Sequence, residues 1–216
     1  TKEKFYTQRE ERANYLTHGF GVIMSLVASA MLLSRAVAAQ DSRALLAYLL
    51  FGFGMIACMG SSTIYHYVQA PVLKSKLRHF DHAAIYLLIA ASYSPFTLIL
   101  LHNTPFWGWF IFVLVWFIAL TGILISFRPL KQNSHLKTAS YVLMGLIVLI
   151  AFKPLIEVAR EQNVIDTVIW LITGGVFYIA GAVIYATARR EFVHAVFHVF
   201  VLFGLASHIY AAYLIT

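Results

Sequence analysis

Seven stretches of roughly 20 predominantly apolar residues, the length an α-helix needs to cross a bilayer core, follow one another along this chain. They run 18–37, 44–68, 80–101, 106–127, 136–156, 165–187 and 194–215. The gaps between them are short and hold turn and charge signals: Gln40-Asp41-Ser42-Arg43, Gln69-Ala70-Pro71, His102-Asn103-Thr104-Pro105, Arg128-Pro129 and Arg189-Arg190-Glu191. No gap is long enough to separate domains, so the expected organisation is a polar N-terminal tail, 1–17, and one transmembrane domain, 18–216. The tail does not read as a cleavable signal peptide, and the first apolar stretch is expected to be a retained span. The fifth stretch is the least clean. Its uninterrupted apolar run, 139–152, is short, and Lys153 and Pro154 interrupt it; Lys153 can snorkel to the interface from a helix end.

Composition agrees. Of the 216 residues 61% are hydrophobic and 12% charged, whereas a soluble domain is about 25% charged. Neither a soluble fold nor a disordered chain accommodates that balance. The net charge of +7 leaves too few charges for a phosphate-binding face, so no nucleic-acid partner is expected. The single cysteine, Cys58, permits no internal disulfide. The expected fold is therefore all-α: a polytopic membrane protein with a seven-transmembrane helix bundle.

Lys and Arg set its orientation. Lys2, Lys4, Arg9, Arg12, Lys74, Lys76, Arg78, Arg128, Lys131, Lys137, Arg189 and Arg190 fall on one side of such a bundle; Arg35, Arg43, Lys153 and Arg160 fall on the other. This bias places the N-terminus in the cytoplasm and the uncharged C-terminus outside it.

Ionisable groups inside spans are expensive, and usually have a function or a partner. His194 and His198 open the seventh stretch four residues apart, so they share a helix face one turn apart, the spacing two histidines need to chelate one metal. Ser62 and His66 have the same relation near the end of the second stretch, and Asp81 opens the third. The topology puts His66, Asp81, His194 and His198 at one depth, near the cytoplasmic surface. An error in the count at the fifth stretch would put His194 and His198 on the face opposite His66. Three neutral imidazoles leave one tetrahedral position for water, the pattern of a catalytic zinc site, and zinc brings the pKa of its water to about 7. Asp81 would then hold that water or accept its proton, and Ser62 would orient the water or donate to a developing oxyanion. The plainer alternative is that each histidine is an interhelical hydrogen-bond partner or sits among headgroups.

The other polar residues read as structural. His208, ten residues beyond His198, lies about 15 Å deeper and cannot bind the same ion; His18, with Thr17 and Asn14, reads as helix entry and packing, with support of the metal ligands as the alternative. Glu11 is expected to pair with an Arg or Lys. His82 points about 100° around the helix from Asp81, so the two should not share a target. Pro95 is expected to kink the third span. Gly52, Gly54, Gly60, Gly174, Gly175 and Gly181 read as close helix packing.

Several motifs, in fixed order, resemble the bacterial hemolysin III family. They are Asn14-Tyr15-Leu16-Thr17-His18-Gly19-Phe20-Gly21, Ser61-Ser62-Thr63-Ile64-Tyr65-His66, the run from Phe80-Asp81-His82 to Ala90, Ser92-Tyr93-Ser94-Pro95-Phe96, and the final stretch from His194 through His198 to His208-Ile209-Tyr210. That family belongs to the progestin and adipoQ receptor superfamily, which is similar in turn to alkaline ceramidases. The resemblance covers nearly the whole chain. It implies seven helices, a cytoplasmic N-terminus, a zinc site formed by His66, His194 and His198, an Asp81 held near zinc through water, and a Ser62 one turn before the first ligand.

The expected function is a zinc-dependent hydrolase of the bacterial inner membrane acting on a lipid amide or ester of ceramide-like type, with Asp81 and Ser62 catalytic and membrane lipid as partner. The alternatives are a non-enzymatic, receptor-like or membrane-homeostasis protein with a structural zinc, and a lytic, pore-forming protein. A pore should carry a polar stripe along several helices, whereas the intramembrane polarity here clusters at one end.

Overall fold

The computed structural model describes residues 6–128, 134–188 and 190–216. Lys2, Lys4, Lys131 and Arg189 of the charge argument lie outside these. The described residues form eight α-helices and no strand: α1 (Gln8–Ala38), α2 (Ser42–Tyr67), α3 (Pro71–Leu98), α4 (Pro105–Ser126), α5 (Ser134–Gly145), α6 (Phe152–Glu161), α7 (Ile165–Thr187) and α8 (Val193–Tyr213). Short 3-10 turns at Leu100–Asn103 and Leu146–Ala151 join α3 to α4 and α5 to α6.

α1 begins well inside the stretch read as a polar tail, and the cause is local. Thr7 accepts from the Glu10 backbone N–H while the Glu10 carboxylate accepts from the Thr7 backbone N–H at 2.8 Å. This reciprocal capping box satisfies two donors that a helix start otherwise leaves open. The consequence is functional: Glu11 and Asn14, both buried, are placed on a helix.

Six helical units are long and apolar enough to cross a membrane: Gln8–Ala38, Ser42–Tyr67, Phe106–Ser126, Leu136–Glu161, Ile165–Thr187 and Val193–Tyr213. The fourth of these joins α5, the 3-10 turn and α6 into one unit, so the interrupted fifth stretch does form a span-length element. The expected count of seven is corrected to six, because α3 falls short. Its shortfall is chemical. Asp81, His82, Ser92, Ser94 and Thr97 dilute its apolar content, while Ala90, Ala91, Ser94 and Leu88 are buried against neighbouring helices. A helix enclosed by protein need not meet the apolarity that lipid contact demands.

Two cores flank α3. One joins it to α1, α2 and α8 through Leu32, Phe51, Met55, Met59, Leu88 and Leu205. The other joins it to α4 and the α5 region through Tyr86, Ala90, Tyr93, Val115 and Met144. Around these cores the outward faces are apolar: Phe20, Val27, Phe53, Val113, Phe117, Leu124, Val176 and Phe203 are all exposed. Such a surface is a liability in water and the expected one in lipid.

The glycines divide. A Cβ on Gly54 would overlap the Ala91 methyl, one on Gly52 would lie 2.6 Å from Ser29 Oγ, and one on Gly181 would lie 2.7 Å from Phe200 Cβ. Gly174 likewise makes room for the His208 ring. Gly60 and Gly175 have nothing within 4 Å, so for these two the close-packing expectation is corrected. They lie on faces turned away from neighbouring helices. Accordingly, Gly54→Ala should lower stability by about 1–3 kcal/mol through overpacking of α2 on α3. Gly60→Ala should be neutral or slightly stabilising by helix propensity. Thermal unfolding of the two variants in detergent, side by side, measures the difference.

Candidate metal centre

The centre is built where three helix ends meet. α2 delivers His66 in its last turn, α8 delivers His194 and His198 from its first two turns, and α1 lies across both with its first three turns. α8 starts abruptly. Phe192, just before it, has φ 60°, a left-handed conformation rare for a bulky residue. Its backbone N–H donates to Glu10 Oε1 at 3.1 Å. The start of α1 is thus tied to the start of α8.

The Nε2 atoms of His66 and His198 lie 3.1 and 3.0 Å from Nε2 of His194. One ligand nitrogen from each of the three lies within 4.8 Å of the others. His66 and His198 are buried and His194 is half-buried. Nitrogens bound tetrahedrally at 2.0–2.1 Å from zinc stand about 3.3 Å apart, within a few tenths of an ångström of the spacing found.

Hydrogen bonding fixes the tautomers. His66 Nδ1 lies 2.6 Å from Glu11 Oε2, and a carboxylate only accepts, so His66 Nδ1 carries the proton. His198 Nδ1 lies 3.2 Å from the Asn14 carbonyl and 3.1 Å from Thr17 Oγ1. The Thr17 hydroxyl already donates within α1 to the Ala13 and Asn14 carbonyls, so His198 Nδ1 donates too. Both Nε2 atoms therefore present lone pairs. His194 Nε2 can donate to one of them at most, leaving lone pairs facing one another in a buried site. A cation among the three nitrogens resolves that conflict, and this donor set fits a divalent metal.

Asp81 is not part of the three-nitrogen cluster. It lies near that cluster, in the neighbourhood of His66 and of Ser62, which stands one turn before His66 on α2. Ser62 is buried. The histidines, Asp81 and Ser62 thus gather at one end of the bundle.

Some neighbours were legible only in part. Glu11 meets a lysine, Lys74, at 2.9 Å, as expected, but its other oxygen holds His66. His18 is more than a packing residue. Its ring stacks on that of His198 at 3.5 Å between centroids, inclined by 12°, and both its nitrogens are buried with no hydrogen-bond partner. Tyr6 stacks on His194 at 5.0 Å. The signal available was the helical spacing of Glu11, Asn14 and His18, which puts all three on one face of α1. His208 is where the spacing placed it, away from the cluster, with Nε2 donating to the Leu171 carbonyl at 3.2 Å. His79 likewise donates from Nδ1 to the Ser126 carbonyl at 2.7 Å.

Residues 6–209 match the family model described as "Haemolysin-III related". The chain is 33% identical over 198 residues to Hemolysin-3 of Bacillus cereus, covering 92% of this chain and 88% of that one. It is 36% identical over 202 residues to a Hemolysin-3 homolog of Bacillus subtilis (strain 168), covering 94% and 92%. It is also 30% identical over 213 residues to the human monocyte to macrophage differentiation factor, covering 94% and 82%. With its six apolar helices and its match along almost the full length, the chain is an integral membrane protein and belongs to the haemolysin-III-related family.

Proposed function

We propose that the protein is a zinc-dependent membrane hydrolase that cleaves an amide or ester bond in a lipid of ceramide-like type. The observation that carries this reading is the pairing of a three-nitrogen cluster with a separate carboxylate lying near it. A structural zinc site is closed by four protein ligands, whereas a catalytic one keeps a position open. His66, His194 and His198 supply three, and Asp81 lies close by, near Ser62.

A divalent ion bound there would polarise a carbonyl oxygen and make a water acidic near neutral pH. The rest falls to the protein. Asp81 takes the proton of the attacking water as its oxygen bonds to the carbonyl carbon, and returns it to the nitrogen or oxygen that leaves as the C–N or C–O bond breaks. Ser62, near Asp81, orients that carboxylate. The apolar outward faces of the helices put the protein in the same phase as a lipid substrate. In this reading the N-terminus and the metal centre face the cytoplasm, and the protein resides in a bacterial inner membrane. The name Hemolysin-3, carried by two relatives, points to lysis, but the clustering of polar groups at one end supports the hydrolase reading over a pore.

Metal analysis of detergent-purified protein should find about one divalent ion per chain, and close to none after His194→Ala/His198→Ala. Metal content unchanged by the double substitution sinks the site. Asp81→Asn should retain the ion yet lower turnover of lipid amides or esters by roughly 10²–10⁴-fold, the range expected for a lost general base. Turnover equal to wild type removes Asp81 from the mechanism.

A further inference from the structure

We infer that Glu11, held by Lys74, is a positioning residue for the metal centre: it fixes the His66 tautomer and aims His66 Nε2 at His194 and His198. The inference rests on reading the three histidines as a metal site.

The Glu11 carboxylate is divided between two partners. Oε2 takes the His66 Nδ1–H at 2.6 Å, and Oε1 takes the Lys74 ammonium at 2.9 Å. Glu11 is 5% exposed and His66 is fully buried, so water does not compete for either. Lys74 is itself satisfied. It gives its other two donors to the Tyr65 and Val68 carbonyls at the end of α2, both at 3.1 Å. The Glu11 carboxylate faces a donor at each oxygen, the imidazole N–H and the ammonium, and lies in the first turn of α1, where the helix dipole favours an anion. Set between two donors, it acts as an acceptor. While it faces His66 Nδ1, the proton of that ring stays on Nδ1 and the lone pair stays on Nε2. A carboxylate behind a metal-binding histidine does two things: it orients the ring and it raises the basicity of the ligand.

The competing explanation is a clamp that only holds α1, α2 and α3 together. The two differ in what Glu11→Gln does. Glutamine is nearly isosteric and keeps most of the packing. Turned with its amide N–H toward His66, it donates to Nδ1 and moves the ring proton to Nε2. Turned the other way, it sets that amide against the Lys74 donors. In both cases the ligand nitrogen suffers more than the fold.

The test uses the full chain in detergent, stripped of metal and titrated with Zn²⁺ against a competing chelator. It is repeated with Co²⁺ while the visible absorption of the ion is followed. Glu11→Gln should weaken Zn²⁺ affinity by about 10–100-fold, the usual effect of losing such a support. It should also alter the Co²⁺ spectrum, while melting of the metal-free protein stays within a few degrees of wild type. Lys74→Met should weaken affinity in the same direction and Lys74→Arg should restore it. That pair carries the test if Glu11→Gln does not accumulate folded. Unchanged Zn²⁺ affinity and Co²⁺ spectrum in Glu11→Gln overturn the positioning role alone, as does a loss matched by an equal fall in metal-free stability. A wild-type chain that takes up no ion, or that binds it equally after His194→Ala/His198→Ala, instead brings down the metal-site reading, and the positioning role with it.

Discussion

Within a bilayer a polar side chain finds no water to fall back on, so leaving one unanswered by the rest of the protein is costly. The arrangement at one end of this bundle follows from that constraint. Three imidazoles on α2 and α8 turn their inner nitrogens toward one another, and the outer nitrogens of His66 and His198 are taken up by α1, through Glu11, Asn14 and Thr17. α1 is thus the support of the centre although it supplies no ligand. Its capping box, and the hold of Glu10 on Phe192, fix where that support begins and how it meets α8.

What the sequence reveals and what it hides divide along one physical line. Contacts within a helix were legible, because 3.6 residues per turn fixes which side chains share a face. His194 with His198, and Ser62 with His66, could be paired on spacing alone. The meeting of His66 with α8 was expected from a count of seven crossings; the histidines do meet, but six helices, not seven, are long and apolar enough to cross. Contacts that depend on how closely one helix leans on another were not legible. Nothing in the spacing of α1 tells that His18 stacks on His198, or that the oxygens of Glu11 divide between an imidazole and an ammonium. The glycines show the same limit. Gly54 and Gly60 look alike in sequence, yet one faces Ala91 and the other faces open space.

The span count failed for a related reason. Hydropathy measures how well a segment suits lipid, and α3 is largely shielded from lipid by α2, α4 and the α5 region. Its Asp81, Ser92, Ser94 and Thr97 lower its apolar content where protein, rather than hydrocarbon, is the neighbour. The polarity that disqualifies α3 as a free-standing span also puts a carboxylate beside the histidines.

The enclosed, polar character of α3 has a consequence for biogenesis. Partitioning from the translocation machinery into lipid is decided largely segment by segment, and a charged residue weighs against it. α3 has little to gain by leaving alone. It follows α2 after three residues, Val68–Ala70, and precedes the strongly apolar α4 by a short 3-10 turn. Any entry of α3 into the bilayer would therefore have to be cooperative, with α2 and α4 on either side of it. The segment that carries Asp81 is then also the one whose insertion depends most on its neighbours already being at hand.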